Sequence, residues 1–259
     1  MSRLVYISIL FTCLSLLPLK GQVAFHEEIS NGKLHFYAIN TSYAPLILNL
    51  HIDSLNINKS QFLEHTNDTI KLLEIILSDR AKKLDFRHLL RATVNFGNPN
   101  AKPDAFEYQL PFAKGSKFEC IQSFEGKFSH NQPYSKYAID FKMPEGTPVL
   151  AARSGIVVYT KEDSNEGGRD REKYINKANK VMIYHDDGTV ASYDHLKFNG
   201  VEVQVGDRVK TGQLIGYSGN TGFSTTPHLH FVVWVVKEAV PIRFKGQRKT
   251  LKEGKYYGY

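Results

Sequence analysis

The 259-residue sequence predicts a mainly β protein, with a small N-terminal β-sandwich followed by a larger β-barrel or sandwich domain. Three observations point that way. Apolar and polar residues alternate with period two, so that Leu48, Leu50 and Ile52 share one face and Asn49, His51 and Asp53 the other. Clusters of Gly, Asn, Asp and Ser punctuate the apolar stretches. Two pieces also rhyme: "GTPVLAARSGIV" (146–157) and "GDRVKTGQLIGY" (206–217) each place a Val three residues after a Gly, with a second Gly further on, as expected of two halves of one barrel.

Taken in chain order, residues 1–21 read as a signal peptide. Arg3 precedes an apolar run from Leu4 to Leu19, and Lys20, Gly21 and Gln22 follow, with cleavage expected near Gly21. The run is short for a span of roughly 20 residues, and Pro18 interrupts it. Export is therefore expected, with no stable membrane anchor. Loss of the leader leaves Cys120 as the only cysteine. The mature chain then has no intramolecular disulfide, and Cys120 reads as a buried structural thiol.

Residues 22–110 read as the accessory sandwich, through the strands "GKLHFYAIN", "LILNLHIDSL", "TIKLLEIIL" and "LLRATVNF". The stretch "IKLLEIILSDRAKKLDFRHLLRA" also fits a helix pair. "GNPNAKPDA" (97–105) is turn-rich and marks a hinge. Within residues 111–240, "KVMIYH", "DDG" and "TVASYDHL" predict a hairpin with an Asp-Gly turn. The charged stretch 161–180 predicts a solvated insertion or short helix, and residues 241–259 form a basic, aromatic tail. The formal charge of +7 falls to +5 without Arg3 and Lys20. The basic residues are scattered, with no Arg/Lys stripe interleaved with aromatics, which excludes nucleic acid as the expected partner and suits an anionic envelope polymer.

The chemistry concentrates in "SGNTGFSTTPHLHF" (218–231). In a strand, side chains at i and i+2 share a face, so His228 and His230 project side by side while Leu229 and Phe231 face the core. Upstream, "FSHNQPYSKYAIDFKMPEGTPV" holds His130 and Asp140, and "YDHL" holds His195. A catalytic zinc takes three protein ligands and leaves a fourth position to water. His130, Asp140 and one histidine of the pair would fill the three places.

"YAIDFKMPEGTPVLAARSGIV", "SYDHL" and "VGDRVKTGQLIGYSGNTGFSTTPHLHF" together resemble, in order, the three signatures of the lysostaphin/LytM-like zinc metalloendopeptidases, peptidoglycan hydrolases of the duplicated hybrid motif fold. The resemblance spans roughly residues 115–240. It implies one zinc per chain, held by His130, Asp140 and His230, with His195 and His228 as non-ligand catalytic histidines that handle protons and steady the oxyanion. In the family's shorter first motif three residues separate the His and Asp, whereas nine separate His130 from Asp140. A hairpin whose stems bring the two together is therefore expected. The flexible segment before His228 is expected to wall a groove, with Asn220, Thr221 and Ser224 binding the peptide.

The implied substrate is the peptide stem or cross-bridge of peptidoglycan, acted on by a monomer, with a cell-envelope activator as a possible partner. A non-catalytic peptidoglycan-binding regulator is the alternative; such relatives lack ligands, whereas every ligand position here is filled. A biotinyl or lipoyl carrier shares the rhyming Gly-x-x-Val halves but needs a lysine at a hairpin tip, and no Met-Lys-Met occurs.

Overall fold

The computed structural model describes residues 22–52, 56–76 and 90–259. The expected leader and residues 77–89 of the helix-pair alternative lie outside these. The described N-terminal strands are β1 (Val23–Ser30), β2 (Lys33–Asn40), β3 (Leu46–Ile52), β4 (Ile57–Leu63), β5 (Thr69–Ile76) and β6 (Leu90–Phe96). They form two antiparallel three-stranded sheets, β1-β2-β5 and β4-β3-β6. The period-two pattern explains the packing. Leu46, Leu48, Leu50 and Ile52 point inward from β3, and Phe36 and Ala38 from β2, into one apolar cluster. β5 resolves the ambiguity over Thr69–Ile76 in favour of a strand. β1 and β4 are half-buried edge strands, and Val23, Phe25 and Ile57 pack against the same cluster.

The rest of the chain, which builds a larger sheet and two small two-stranded ones, uses β7 (Glu107–Tyr108), β8 (Lys117–Gln122), β9 (Ile139–Lys142), β10 (Pro148–Leu150), β11 (Gly155–Lys161), β12 (Gly167–Gly168), the one-turn helix α1 (Arg171–Tyr174), β13 (Asn179–Tyr184) and β14 (Val190–Val201). It continues through β15 (Arg208–Val209), β16 (Leu214–Ser218), β17 (Gly222–Phe223), β18 (Leu229–Val235), β19 (Glu238–Ala239), β20 (Arg243–Phe244) and β21 (Lys255–Gly258). The main hydrogen-bonded path runs β15-β11-β13-β14-β18-β9-β8-β21. It ends at β15 and β21, with β10, β16 and β19 pairing off this path, as the expected barrel or sandwich class requires of a mainly β domain.

The two rhyming pieces pair with each other. β10 lies against β16 and β11 against β15, so each half supplies the partner strands of the other. Gly146 and Gly206, the equivalent turn residues, both adopt the left-handed conformation, at φ +84° and +98°. Tyr193, Phe231, Phe141 and Phe112 fill the core beneath. Residues 241–259 are not a free tail: β21 adds an edge strand to β8 and β20 pairs with β7.

The two assemblies share a core. Val158 of β11 and Val190 of β14 belong to the same apolar cluster as Leu46, Leu48 and Phe96. The turn-rich 97–105 crossing is pinned to the larger sheet: the Asn98 amide donates to the Gly188 carbonyl (3.3 Å), and Asp104 pairs with Arg153 at 3.1 Å.

Candidate metal centre

Five adjacent strands place one polar residue each in a single cross-strand row. Gln122 of β8 is opposite Asp140 of β9, Asp140 opposite His230 of β18, His230 opposite Asp194 of β14, and Asp194 opposite Lys180 of β13. Direct opposition on antiparallel strands brings side chains on one face within reach of each other. His230 Nδ1 lies 2.8 Å from Asp140 Oδ1, Gln122 Nε2 donates to Asp140 Oδ2 at 3.0 Å, and Lys180 Nζ lies 2.9 Å from Asp194 Oδ2.

His130 enters from the loop between β8 and β9. The hairpin exists, with β8 and β9 as its stems, but His130 sits on neither stem. It lies in a run of turns in which its amide donates to the Gly126 carbonyl. The ring is fully buried and its Nδ1–H donates to the Ser123 carbonyl at 2.9 Å, which leaves Nε2 with a lone pair. That lone pair faces Asp140 Oδ1 at 3.2 Å and His230 Nδ1 at 3.3 Å.

Three donor atoms converging this closely can hold a metal ion. A tetrahedral zinc with bonds of about 2.0–2.2 Å has ligand-to-ligand edges of roughly 3.3–3.5 Å, near the spacing of these three atoms. His130, Asp140 and His230 are also the group among the described residues whose donor atoms lie within 4.8 Å of one another. The donor set, two imidazoles and a carboxylate, fits zinc. The backbone and Gln122 bonds to His130 and Asp140 orient those ligands from behind.

Electrostatics follow from burial and proximity. Burial opposes ionisation of Asp140, yet the neighbouring His230 and His228 rings hold its carboxyl well below the ordinary range. Burial also opposes a charged His230, and the Asp140 carboxylate reverses that and raises it.

His195 and His228 stand beside this cage, with ring centroids 4.5 Å apart. His195 Nδ1–H donates to the Thr221 carbonyl and His228 Nδ1–H to the Thr226 carbonyl, both at 2.7 Å. Each ring therefore keeps Nε2 free as a base. Burial, reinforced by His228 and His230, pushes His195 down to about 3, so it is neutral in ordinary conditions.

His195 reaches the site through a backbone device. Opposite β13, Asn179 pairs with Leu196 and Lys180 with Asp194, so His195 is an extra residue, a β-bulge, at φ +66°. A regular strand would turn Asp194 and His195 to opposite faces; the bulge lets both line one groove.

That groove has a volume of about 760 Å³. It runs from His195 and His230 past Tyr134, Phe223 and Trp234 to Val94, Asn95 and Phe96 of β6. The N-terminal sheets thus form one of its walls, which nothing in the sequence announced.

The three residues expected to bind peptide sit differently from the expectation. Thr221 and Ser224 are buried. The Thr221 hydroxyl donates to the Leu196 carbonyl and accepts from the Asn179 amide. Ser224 Oγ donates to Asn220 Oδ1 at 2.7 Å and lies 3.2 Å from His228 Nδ1. Their hydroxyls are committed to the framework that aims His195 and His228, and Asn220 is tied to that framework through Ser224. Gln122, Asp194 and Lys180 were not singled out from the sequence. Their shared signal, the register of five strands, exists only in the sheet.

A curved sheet presenting two histidines and an aspartate whose donor atoms converge, beside two further imidazoles, is a site that could hold a metal ion. Residues 134–242 match the model of peptidase family M23. An uncharacterized metalloprotease of Buchnera aphidicola is 38% identical over 154 residues, 56% of this chain and 37% of that protein. Glycyl-glycine endopeptidase ALE-1 of Staphylococcus capitis is 45% identical over 97 residues, 37% of this chain and 23% of that protein. The crystallised catalytic domain of the antimicrobial peptidase lysostaphin from Staphylococcus simulans is 34% identical, covering 49% of this chain and 87% of that domain, with a TM-score of 0.36. Over residues 134–242 the chain matches the M23 peptidase family, with lysostaphin-like relatives. It spans well under half the length of the two curated relatives.

Proposed function

We propose that the protein is an exported zinc endopeptidase that hydrolyses peptide bonds in peptidoglycan stems or cross-bridges. The observation that carries the reading is the convergence of His130 Nε2, Asp140 Oδ1 and His230 Nδ1 beside two imidazoles with free Nε2 atoms. A zinc ion held there supplies Lewis acidity toward the scissile carbonyl and acidifies water.

The chain's own residues supply the rest. His195 and His228, each fixed through Nδ1, present Nε2 to take a proton from the attacking water and return it to the leaving amine. Once protonated, the same N–H donates to the oxyanion of the tetrahedral state. The groove holds the peptide extended beside the cage, and the buried setting of Asp140 keeps bulk water from competing with its ligand contacts.

The test is metal content of the purified protein together with release of new amino groups from purified peptidoglycan, with and without chelator. About one zinc per chain and chelator-sensitive release are expected. Asp140→Ala and His230→Ala should lose zinc and activity together. His195→Ala and His228→Ala should keep zinc while turnover falls by a factor on the order of 100 or more. Bound zinc with no cleavage of any peptidoglycan type would favour the regulatory alternative, and iron in place of zinc would overturn the cofactor assignment.

A further inference from the structure

We propose that Arg171 is a specificity-determining residue that binds a carboxylate of the peptide substrate in the groove. The inference rests on the endopeptidase reading above and names the chemical class of peptide that it takes.

Arg171 lines the groove that also contains His195 and His230. Its guanidinium is held from two sides: an N–H donates to the Tyr134 hydroxyl at 2.6 Å, and the group lies 5.6 Å from the centroid of the Phe223 ring. Phe223 is itself stacked on Phe128, with centroids 6.0 Å apart and planes within 7°. Both contacts lead back to the catalytic framework. Tyr134 belongs to the loop that carries His130, and Phe223 lies two residues after Thr221, whose carbonyl fixes His195.

The charge at Arg171 is not neutralised. The groove's other cations nearest the row are paired, Lys180 with Asp194 and Lys161 with Asp163, and Lys177 of the same insertion pairs with Glu166. Arg171 has no carboxylate partner among the described residues, and only one of its five donors has a partner. An oriented guanidinium with unspent donors, stacked on an aromatic ring, is suited to bidentate carboxylate recognition. Neutral partners such as Tyr134 and Phe223 orient it without consuming its charge. The ligand class is a peptide carrying a free carboxylate close to its scissile bond.

The test uses two cross-linked muropeptides that differ only in whether the α-carboxylate of the stem glutamate is free or amidated. The zinc-loaded protein should cleave the free form with a kcat/KM about tenfold higher. In Arg171→Gln the ratio should fall to about 1, with Arg171→Lys in between. Binding is read separately on zinc-free protein by the fluorescence of Trp234, the single tryptophan, which lines the groove. The free form should bind more tightly to the parent protein and equally with the amidated form to Arg171→Gln. Equal handling of both forms by the parent, or an unchanged ratio in Arg171→Gln, overturns the proposal. No cleavage of either form defeats the endopeptidase reading, and the fluorescence titration still decides the role of Arg171.

Discussion

At the scale of single residues, burial decides behaviour more than identity does. Cys120 is fully buried, and burial, with Asp140 nearby, pushes its thiol up to about 12. It should resist a thiol-reactive dye in the folded protein and label fully in denaturant; fast native labelling would show an open edge at β8. His185 is also buried, its Nδ1–H given to the Ser154 carbonyl and its ring edge-on to Tyr108. It therefore lies in the core, away from any substrate. Burial lowers it to about 4. The unfolded chain, with an ordinary value near 6.5, binds the proton more readily between those two values. This contribution to stability is therefore full above about pH 6.5 and is lost as pH falls toward 4, amounting to about 2 kcal/mol by pH 5. Urea unfolding at pH 7 and pH 5 should show that loss, reduced in His185→Gln. Gln122 was silent in the sequence, yet it ties Asp140 to the His130 loop, since its side-chain oxygen accepts from the amides of Phe128 and Ser129 at 3.1 Å. Gln122→Ala should weaken zinc binding about tenfold in a chelator competition; an unchanged affinity would deny it an orienting role.

At the scale of elements, the insertion 161–180 is largely solvent-exposed and carries the expected short helix, and it is also tied down as a strap. Its strand β12 pairs in parallel with β17, and α1 begins at Asp170, whose carboxylate accepts from the Lys173 amide. The sequence foretold a short helix there but not the pairing, because two-residue strands have no periodicity to read. Gly222 sits at the junction in the left-handed region, and a Cβ there would lie 2.5 Å from the Ala178 amide nitrogen. Gly222→Ala should therefore detach the strap and displace the Thr221 carbonyl that aims His195. Hydrogen exchange across 162–179 should rise and turnover should drop, with zinc content retained; protection left at the parental level would mean the pairing tolerates the clash.

At the scale of the whole molecule, the shared cluster makes the N-terminal sheets part of the folding unit. Val158, Val190, Tyr159 and Met182 of the larger sheet pack against the apolar cluster of Leu46, Leu48 and Phe96. A chain beginning near residue 106 would expose that patch, and buried side chains of this size contribute about 1.5–3 kcal/mol each. Such a truncation should unfold at lower urea or self-associate, while the longer chain unfolds in one transition. Equal stability of the two would show that the N-terminal sheets merely rest on the larger one. Truncation should also weaken peptide binding, since β6 walls the groove.

The sequence by itself determined the mainly β class, the inward residues of β3 and the pairing of the rhymed halves, and it singled out the five candidate residues that the structure brings together. Each is a local signal: a period of two, a glycine turn, or histidines two apart on one strand. Tertiary structure alone decided that His130 arrives from a loop, that a bulge lets His195 line the groove, and that the Thr221 and Ser224 hydroxyls are buried in hydrogen bonds. It also decided the row from Gln122 to Lys180 and the groove wall formed by β6. These depend on register between strands far apart in the chain, and register is set by packing one face of a sheet against a core, which no short stretch of sequence contains.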